Sequence, residues 1–450
     1  MQILKSYMDN QLPNSIVKYL KKYAYDKWKI YGSNGKYKSI IVIPAIDELE
    51  NIKTLLSSLI QNEKEIFPST LILFVINHIV SSDADIKQNN IKTIEYLKNI
   101  IDKKKNEDEL SRMIINSDLQ IAFIDAASED FELDDKEGGV GLARKIGMDE
   151  ALKLFDYGSS EKNILICLDA DCTVSRNYIL TIRHTFDNHN IHAGYVNFAH
   201  DKTDDEENYK AIINYEIFLR YYVLALNYAK SPYAYHSIGS TMVCDVESYL
   251  KIQGMNKRKA AEDFYFMEKL SKITEIKRIN ETTVYPSSRG SWRVPFGTGK
   301  RVTRFLEKVQ NEYLLYAPES FTILKKWNEV FYSDEILSAV NYLNNAKNIS
   351  KTLLYFLIDN KFEENWNKIL NNTRSLKQIN KQKQLWFDGF KTLRLTHYLR
   401  DSEFPLINMF DALDELFSLM QIPFEYKNTH EEIPSIKIQE QYLTKLREIA

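Results

Sequence analysis

The residues of this chain best placed by type and spacing to do chemistry are two acidic pairs and two glycine-containing basic segments. Asp169-Ala170-Asp171 follows directly on the apolar run Ile164-Leu165-Ile166-Cys167-Leu168. A short apolar run that stops at polar residues reads as a buried strand, and open α/β sheets bind ligands beyond the carboxyl ends of their strands. Two carboxylates one residue apart can hold a divalent cation against a diphosphate, since Mg²⁺ takes one or two carboxylates together with phosphate oxygens and water. Taken alone, the triplet reads more simply as a loop that opens with acids. The second pair, Glu262-Asp263, opens a helix running through Leu270. Acids in a first helical turn are favoured by the helix dipole and stay ionised, and an ionised carboxylate in a cleft can take the proton of a hydroxyl nucleophile. Helix capping is the simpler account of that pair by itself.

The basic segments complement these acids. Gly138-Gly139-Val140-Gly141-Leu142-Ala143-Arg144-Lys145 precedes and opens a helix. Glycines there let backbone N–H groups approach an anion, and Arg144 and Lys145 could pair with a diphosphate; a flexible turn carrying two surface cations fits as well. The stretch matches neither a P-loop nor a dinucleotide fingerprint. Ser287 to Lys300 interleaves Arg289, Arg293 and Lys300 with Trp292 and Phe296, and Arg301 follows. Such a segment could close over a charged ligand and neutralise a leaving diphosphate. Pro44-Ala45-Ile46-Asp47-Glu48 leaves the first apolar strand and would lie over the same crevice, although an ordinary strand-to-helix turn also fits. The aromatic helix Tyr209 to Tyr228 reads as core rather than as a sugar platform. His200 and His236 are further conceivable metal ligands.

These residues need a frame, and the chain has the length for one. Its 450 residues suffice for two or three domains. Hydrophobic residues at 44% and charged residues at 27% are those of a soluble globular protein. The net charge of -3 gives no general reason to expect nucleic acid. The three cysteines fit no zinc spacing and cannot all pair, which favours a reducing, cytoplasmic setting. There is no secretory signal pattern and no apolar stretch long enough to span a membrane, which leaves peripheral membrane contact open.

Residues 1–36 read as a polar helical extension ending at Gly32-Ser33-Asn34-Gly35. Strands are predicted at Ser39 to Ile43 (stopped by Pro44), Leu71 to Ile76, Gln120 to Ile124, Ile164 to Leu168 and His192 to Phe198. Ile52, Leu55, Leu56, Leu59 and Ile60 mark one helix face, and Ile91, Ile94, Leu97 and Ile101 another. Alternating strands and helices argue for an α/β fold with a mostly parallel sheet flanked by helices. After about Arg301 the period is helical, with Asn371 to Lys383 as an exposed connection. The expected domains are 1–36, 37–300 and an α-helical 301–450.

The order of these clusters resembles glycosyltransferase family 2, with its Rossmann-like GT-A fold. The pattern of that family is matched by Pro44-Ala45-Ile46-Asp47-Glu48, Gly141-Leu142-Ala143-Arg144, Asp169-Ala170-Asp171, Gly254-Met255-Asn256 and Glu262-Asp263 in turn. The resemblance covers residues 37–300 and lies in the ordered set rather than in any one motif. It implies that Asp169 and Asp171 contact a nucleotide sugar and its metal, Mn²⁺ or Mg²⁺, with Asp171 the better metal ligand. Asp263 is then the general base, Glu262 its neighbour at the acceptor, and Arg144 lies near the nucleotide. Pro44, Ala45, Glu48, Asn77, Gly141, Arg289 and Arg293 complete the implied donor site. One departure stands out. Where the family's second strand ends in Asp-Asp-x-Ser, this chain has Asn77-His78-Ile79-Val80-Ser81, and an amide offers donors as well as acceptors.

The resemblance therefore implies an inverting, metal-dependent hexosyltransferase. It would act in polysaccharide or glycoconjugate synthesis, on a glycan, lipid-linked or small-molecule acceptor. A non-catalytic nucleotide-sugar-binding scaffold and a nucleotidyltransferase are the alternatives.

Overall fold

The structure, a computed structural model, describes residues 12–33, 35–104, 108–288, 298–425 and 432–450. The chain divides into two compact units. The first runs up to Asp201 and resumes over Ser237–Ser287; the second takes Lys202–His236 and the chain from residue 298 on.

The first unit is a mixed α/β fold built on a nine-stranded sheet. Its strands are β1 (Ile30–Tyr31), β2 (Ser39–Ala45), β3 (Thr70–Asn77), β4 (Gln120–Ala126), β5 (Ile164–Cys167), β6 (Thr173–Val174), β7 (Ala193–Phe198), β8 (Met242–Asp245) and β9 (Ile276–Tyr285), in the order β1-β4-β3-β2-β5-β8-β7-β9-β6. The long pairings are parallel: β2 with β3 (Ser39 opposite Thr70), β3 with β4 (Leu71 opposite Gln120), β2 with β5 (Ser39 opposite Ile164) and β7 with β9. Every residue of β3 is buried, as expected of a strand covered on both faces. Because β2, β3, β4 and β5 run the same way, the turns after Ala45, Asn77, Ala126 and Cys167 share one end of the sheet. Strand β8 runs antiparallel to β5, with Val243 opposite Ile166. The segment before β8, containing Gly239, therefore arrives at that same end.

Four expectations change. Pro44 does not stop β2; it pairs opposite Val75, while the β5 ladder ends at Val42 opposite Cys167. Beyond that point β2 has a neighbour on one side only, where a missing N–H breaks no ladder. The extension 1–36 is not purely helical: after the helix Asn14–Tyr23, Ile30–Tyr31 adds an antiparallel edge to β4. The long helix Ala84–Ile101 keeps Leu97 buried with Ile94 and Ile101 packed partly buried beside the same core, but Ile91 is exposed, and the buried face is completed by Asn90, Thr93 and Ile100. Residues 371–383 form a connection only over 373–375, between the helices Phe362–Asn372 and Leu376–Trp386. In the second of these helices Lys383 is buried with its ammonium on the Ser333 carbonyl at 2.7 Å.

Among its described residues the second unit is helical apart from the two-stranded pairing of Leu314–Leu315 with Ile407–Asn408. Its core contains Ile217, Tyr221 and Leu224 of the helix Glu206–Tyr228 together with Phe321, Trp327, Phe331 and Trp366. The aromatic helix is thus core. No helix of the described residues is long and apolar enough to cross a membrane.

Candidate active site

Asp169 lies just past β5, and its side chain is about one-third exposed. Arg144 comes from the first turns of the helix Val140–Ala151, which packs over β2 and β3 with nearly every residue buried. Glu262 and Asp263 open the helix Glu262–Ser271, entered through Ala261 in the left-handed region at φ 57.

Arg144 joins them. Its Nη2 donates to Asp169 and its Nη1 to Glu262, and the guanidinium is 2% exposed. Two close approaches make this geometry possible. A Cβ on Gly239 would collide with the guanidinium, and one on Gly141 would collide with the Arg258 carbonyl and press on the Glu262 side chain. Gly141 therefore serves helix packing, a role its position before a cationic helix start did not reveal.

The charges respond to this crowding. Burial acts to lower the Arg144 pKa, but Asp169 and then Glu262 outweigh it and hold the cation firmly protonated. Burial is also the largest influence on Glu262, raising its carboxyl against the pull of Arg144. Asp263 is raised to about 7, first by burial and then by the neighbouring Glu262 charge. Its Oδ1 accepts from the Phe264 N–H at 2.7 Å. A carboxylate with such a pKa can accept a proton near neutral pH.

Asp171 is half-buried one residue beyond Ala170. Asp169 and Asp171 offer hard oxygen donors, the set that suits Mg²⁺ or Mn²⁺ with phosphate oxygens completing the shell. Among the described residues no group of three or more His, Cys, Asp or Glu is placed to hold a metal ion. His200 and His236 are both buried. Lys145 is held by Asp149 at 2.6 Å rather than presented beside Arg144.

At the ends of β2 and β3, Asn77 is buried, and its amide nitrogen donates to the carbonyls of Ala45 (3.1 Å) and Val75 (3.0 Å). Glu48 is buried and accepts from Asn51 Nδ2. Pro44 and Ala45 end β2 beside them. Arg289 and Arg293 lie outside the described residues. Arg301 is engaged in the second unit, with Nε 2.9 Å from Glu312 and the guanidinium 3.8 Å from the Phe218 ring centroid.

No protein-family model matches the chain, and no curated protein matches it. Among solved structures, it is similar to S. aureus TarS 1–349, with 13% identity and a TM-score of 0.35 over 79% of this chain and 91% of that one. The same fragment in complex with UDP-GlcNAc gives 12%, 0.37 and the same coverage. The mannosyltransferase PcManGT from Pyrobaculum calidifontis, in complex with GDP-Man and Mn²⁺, gives 11% identity and a TM-score of 0.34 over 85% of this chain and 90% of that one.

Proposed function

We propose that the chain is an inverting GT-A-type glycosyltransferase of the family 2 kind. It would transfer a hexosyl group from a nucleoside-diphosphate sugar to an acceptor hydroxyl, with residues 37–300 as the catalytic region. The observation that carries this reading is the Asp169–Arg144–Glu262 junction. It gathers three sequence segments, two of them 118 residues apart, whose order matches that family.

In this reading Asp263, raised toward neutrality, takes the proton of the acceptor hydroxyl. The freed oxygen attacks the anomeric carbon opposite the leaving group, through an oxocarbenium-like state, and the configuration inverts. Arg144 fixes Glu262 beside the base and Asp169 beside the donor. Asp171 and Asp169 would hold Mn²⁺ or Mg²⁺, which would supply charge neutralisation for the nucleoside diphosphate. Arg289 and Arg293 are assigned to the same leaving group. Pro44, Ala45, Glu48 and Asn77 line the nucleotide end. With both amide hydrogens of Asn77 engaged by backbone carbonyls, it would meet a base as an acceptor, through Oδ1. The buried free thiols of Cys167, Cys172 and Cys244 support a reducing, cytoplasmic setting.

Incubation of the full chain with a panel of nucleotide sugars, Mn²⁺ or Mg²⁺ and mixed acceptors tests this. Release of nucleoside diphosphate and an inverted anomeric product are expected, with both lost in Asp263→Ala and Asp171→Ala and on chelation. Donor binding without transfer would point to a scaffold, and pyrophosphate release from nucleoside triphosphates to a nucleotidyltransferase. Turnover unchanged in both variants would falsify the mechanism.

A further inference from the structure

The nucleotide end of the proposed site is held by a residue that belongs to none of its motifs. Asn90, on the helix Ala84–Ile101, is 1% exposed. Its Oδ1 accepts the backbone N–H of Asp47 at 2.9 Å, and its Nδ2 donates to the Asn77 carbonyl at 3.0 Å and meets His78 Nδ1 at 3.0 Å. Asp47 stands in the left-handed region at φ 58, a conformation that an acidic residue adopts at some cost and keeps where its surroundings enforce it. The adjacent Asn89 accepts the Leu49 N–H at 3.3 Å, at the start of the helix Leu49–Leu59, whose N-cap Glu48 makes no side-chain cap. The amide orientation of Asn90 follows from its partners, since one end faces an N–H and the other a carbonyl. Nδ2 can only donate, so His78 Nδ1 must accept, and the ring is the neutral Nε2–H tautomer. Burial, and secondarily Lys87, lowers the His78 pKa in agreement. His78 is 2% exposed and its Nε2 has no hydrogen-bond partner among the described residues.

We propose that Asn90 is the positioning residue of the nucleotide rim. Its carboxamide ties the left-handed turn at Asp47 to the end of β3 at Asn77–His78 and fixes the His78 tautomer, and through that tie it sets donor affinity rather than the chemical step. The inference rests on the transferase reading of this site. Asn77, whose side chain bonds Ala45, and the turn carrying Glu48 are the two walls of that rim, and Asn90 is bonded to the backbone of both. Neither Asp263 nor the Asp169–Arg144–Glu262 junction bonds to Asn90. Its loss should therefore separate KM from kcat, as removal of binding shared by ground and transition states does.

The test uses the full chain with Asn90→Leu, which keeps the volume and removes the tie, and Asn90→Asp, which keeps the acceptor for Asp47 and loses the donor. Expected for Asn90→Leu are faster amide exchange at Asp47 and a donor KM raised about tenfold with kcat within about twofold. Asn90→Asp should restore slow exchange at Asp47. It should also move the His78 imidazole resonance, because Nδ1 must then carry a proton. An Asp47 amide that exchanges equally slowly in Asn90→Leu overturns the proposal. So does an unchanged donor KM, or a fall in kcat at constant KM. If the wild type binds and uses no nucleotide sugar, the transferase reading fails. The exchange and imidazole measurements then still decide whether Asn90 sets the turn and the tautomer.

Discussion

Arg144 stands between two carboxylates from distant parts of the chain, a place its chemistry suits. A guanidinium offers several donors in a rigid plane and can bind Asp169 and Glu262 at once, whereas a lysine ammonium is a single point charge. Removing the cation leaves Glu262 as an uncompensated buried charge. Arg144→Ala should lose about 3–5 kcal/mol of unfolding free energy, read as a lower urea midpoint, and Arg144→Lys should recover only part of it. Asp263 carries the pH dependence. With its pKa raised to about 7, the group is protonated below that value and cannot act as base. The rate constant kcat should therefore climb as pH rises through about 7 and then level. Flat kcat from pH 5 to 8 would remove Asp263 from the role. The stability effect has the opposite sign. A carboxyl whose folded pKa lies above its unfolded value binds more protons in the folded state between the two. Stability is therefore lost as pH rises from about 4 toward 7. Asp263→Asn should accordingly abolish turnover while raising the melting temperature more at pH 8 than at pH 4, by about 2–4 °C for each kcal/mol gained.

The helix Val140–Ala151 is the element on which the site depends, and it is fixed along its whole length. Near its start Gly141 lets the Arg258 and Glu262 segments come close. Toward its end Asp149 accepts from Tyr19 at 2.8 Å, Tyr249 at 2.7 Å and Lys145 at 2.6 Å, all buried. Gly141→Ala should misplace Glu262. It is expected to cost about 1–3 kcal/mol and to depress turnover more than donor binding, which a denaturation curve and a KM-against-kcat comparison would separate. Tyr19→Phe removes one of three donors to Asp149 and should cost about 1–2 kcal/mol, seen as a shifted urea midpoint with kcat retained. The legibility of these elements in the sequence follows from their physics. Strands β2, β3 and β5 are continuous apolar runs, and an apolar run that stops at acids announces both the strand and the site residues at its end. Strand β1 has two residues, too few for any period to register, and depends on β4 for its existence. Periodicity marked the Leu97 side of Ala84–Ile101 but not its polar part, because Asn90 and Thr93 are buried by hydrogen bonds, which hydrophobic periodicity does not count. Asn90 therefore left no signal, whereas Arg144 did, through its place after glycines at a helix start. Its bridging of two acids was legible only as proximity of motifs in order.

At the scale of the whole molecule, the helix Glu206–Tyr228 decides how the chain can be cut. It lies in sequence between β7 and β8, yet its buried residues Ile213, Ile217, Tyr221 and Leu224 share a core with Leu315, Phe321, Leu324 and Trp327. Asn214 donates to the Glu312 carbonyl at 2.9 Å, and Tyr221 to the Tyr316 carbonyl at 2.5 Å. The buried pair Glu216–Arg220 on the same helix is completed by Arg447, whose Nε is 2.7 Å from Glu216. Truncation after residue 300 removes each of these partners at once. It would expose an apolar helix face together with an incompletely satisfied ion pair, the combination that drives association of incompletely folded chains. A fragment of residues 1–300 is therefore expected to aggregate while the full chain stays dispersed, as light scattering on the two purified proteins would show. Replacing Ile217, Tyr221 and Leu224 together by polar residues within the fragment should restore solubility, because it removes the apolar face and leaves the sheet unit's own core untouched. A fragment that is monomeric and folded without those changes would mean that the helix finds sufficient cover without the C-terminal helices.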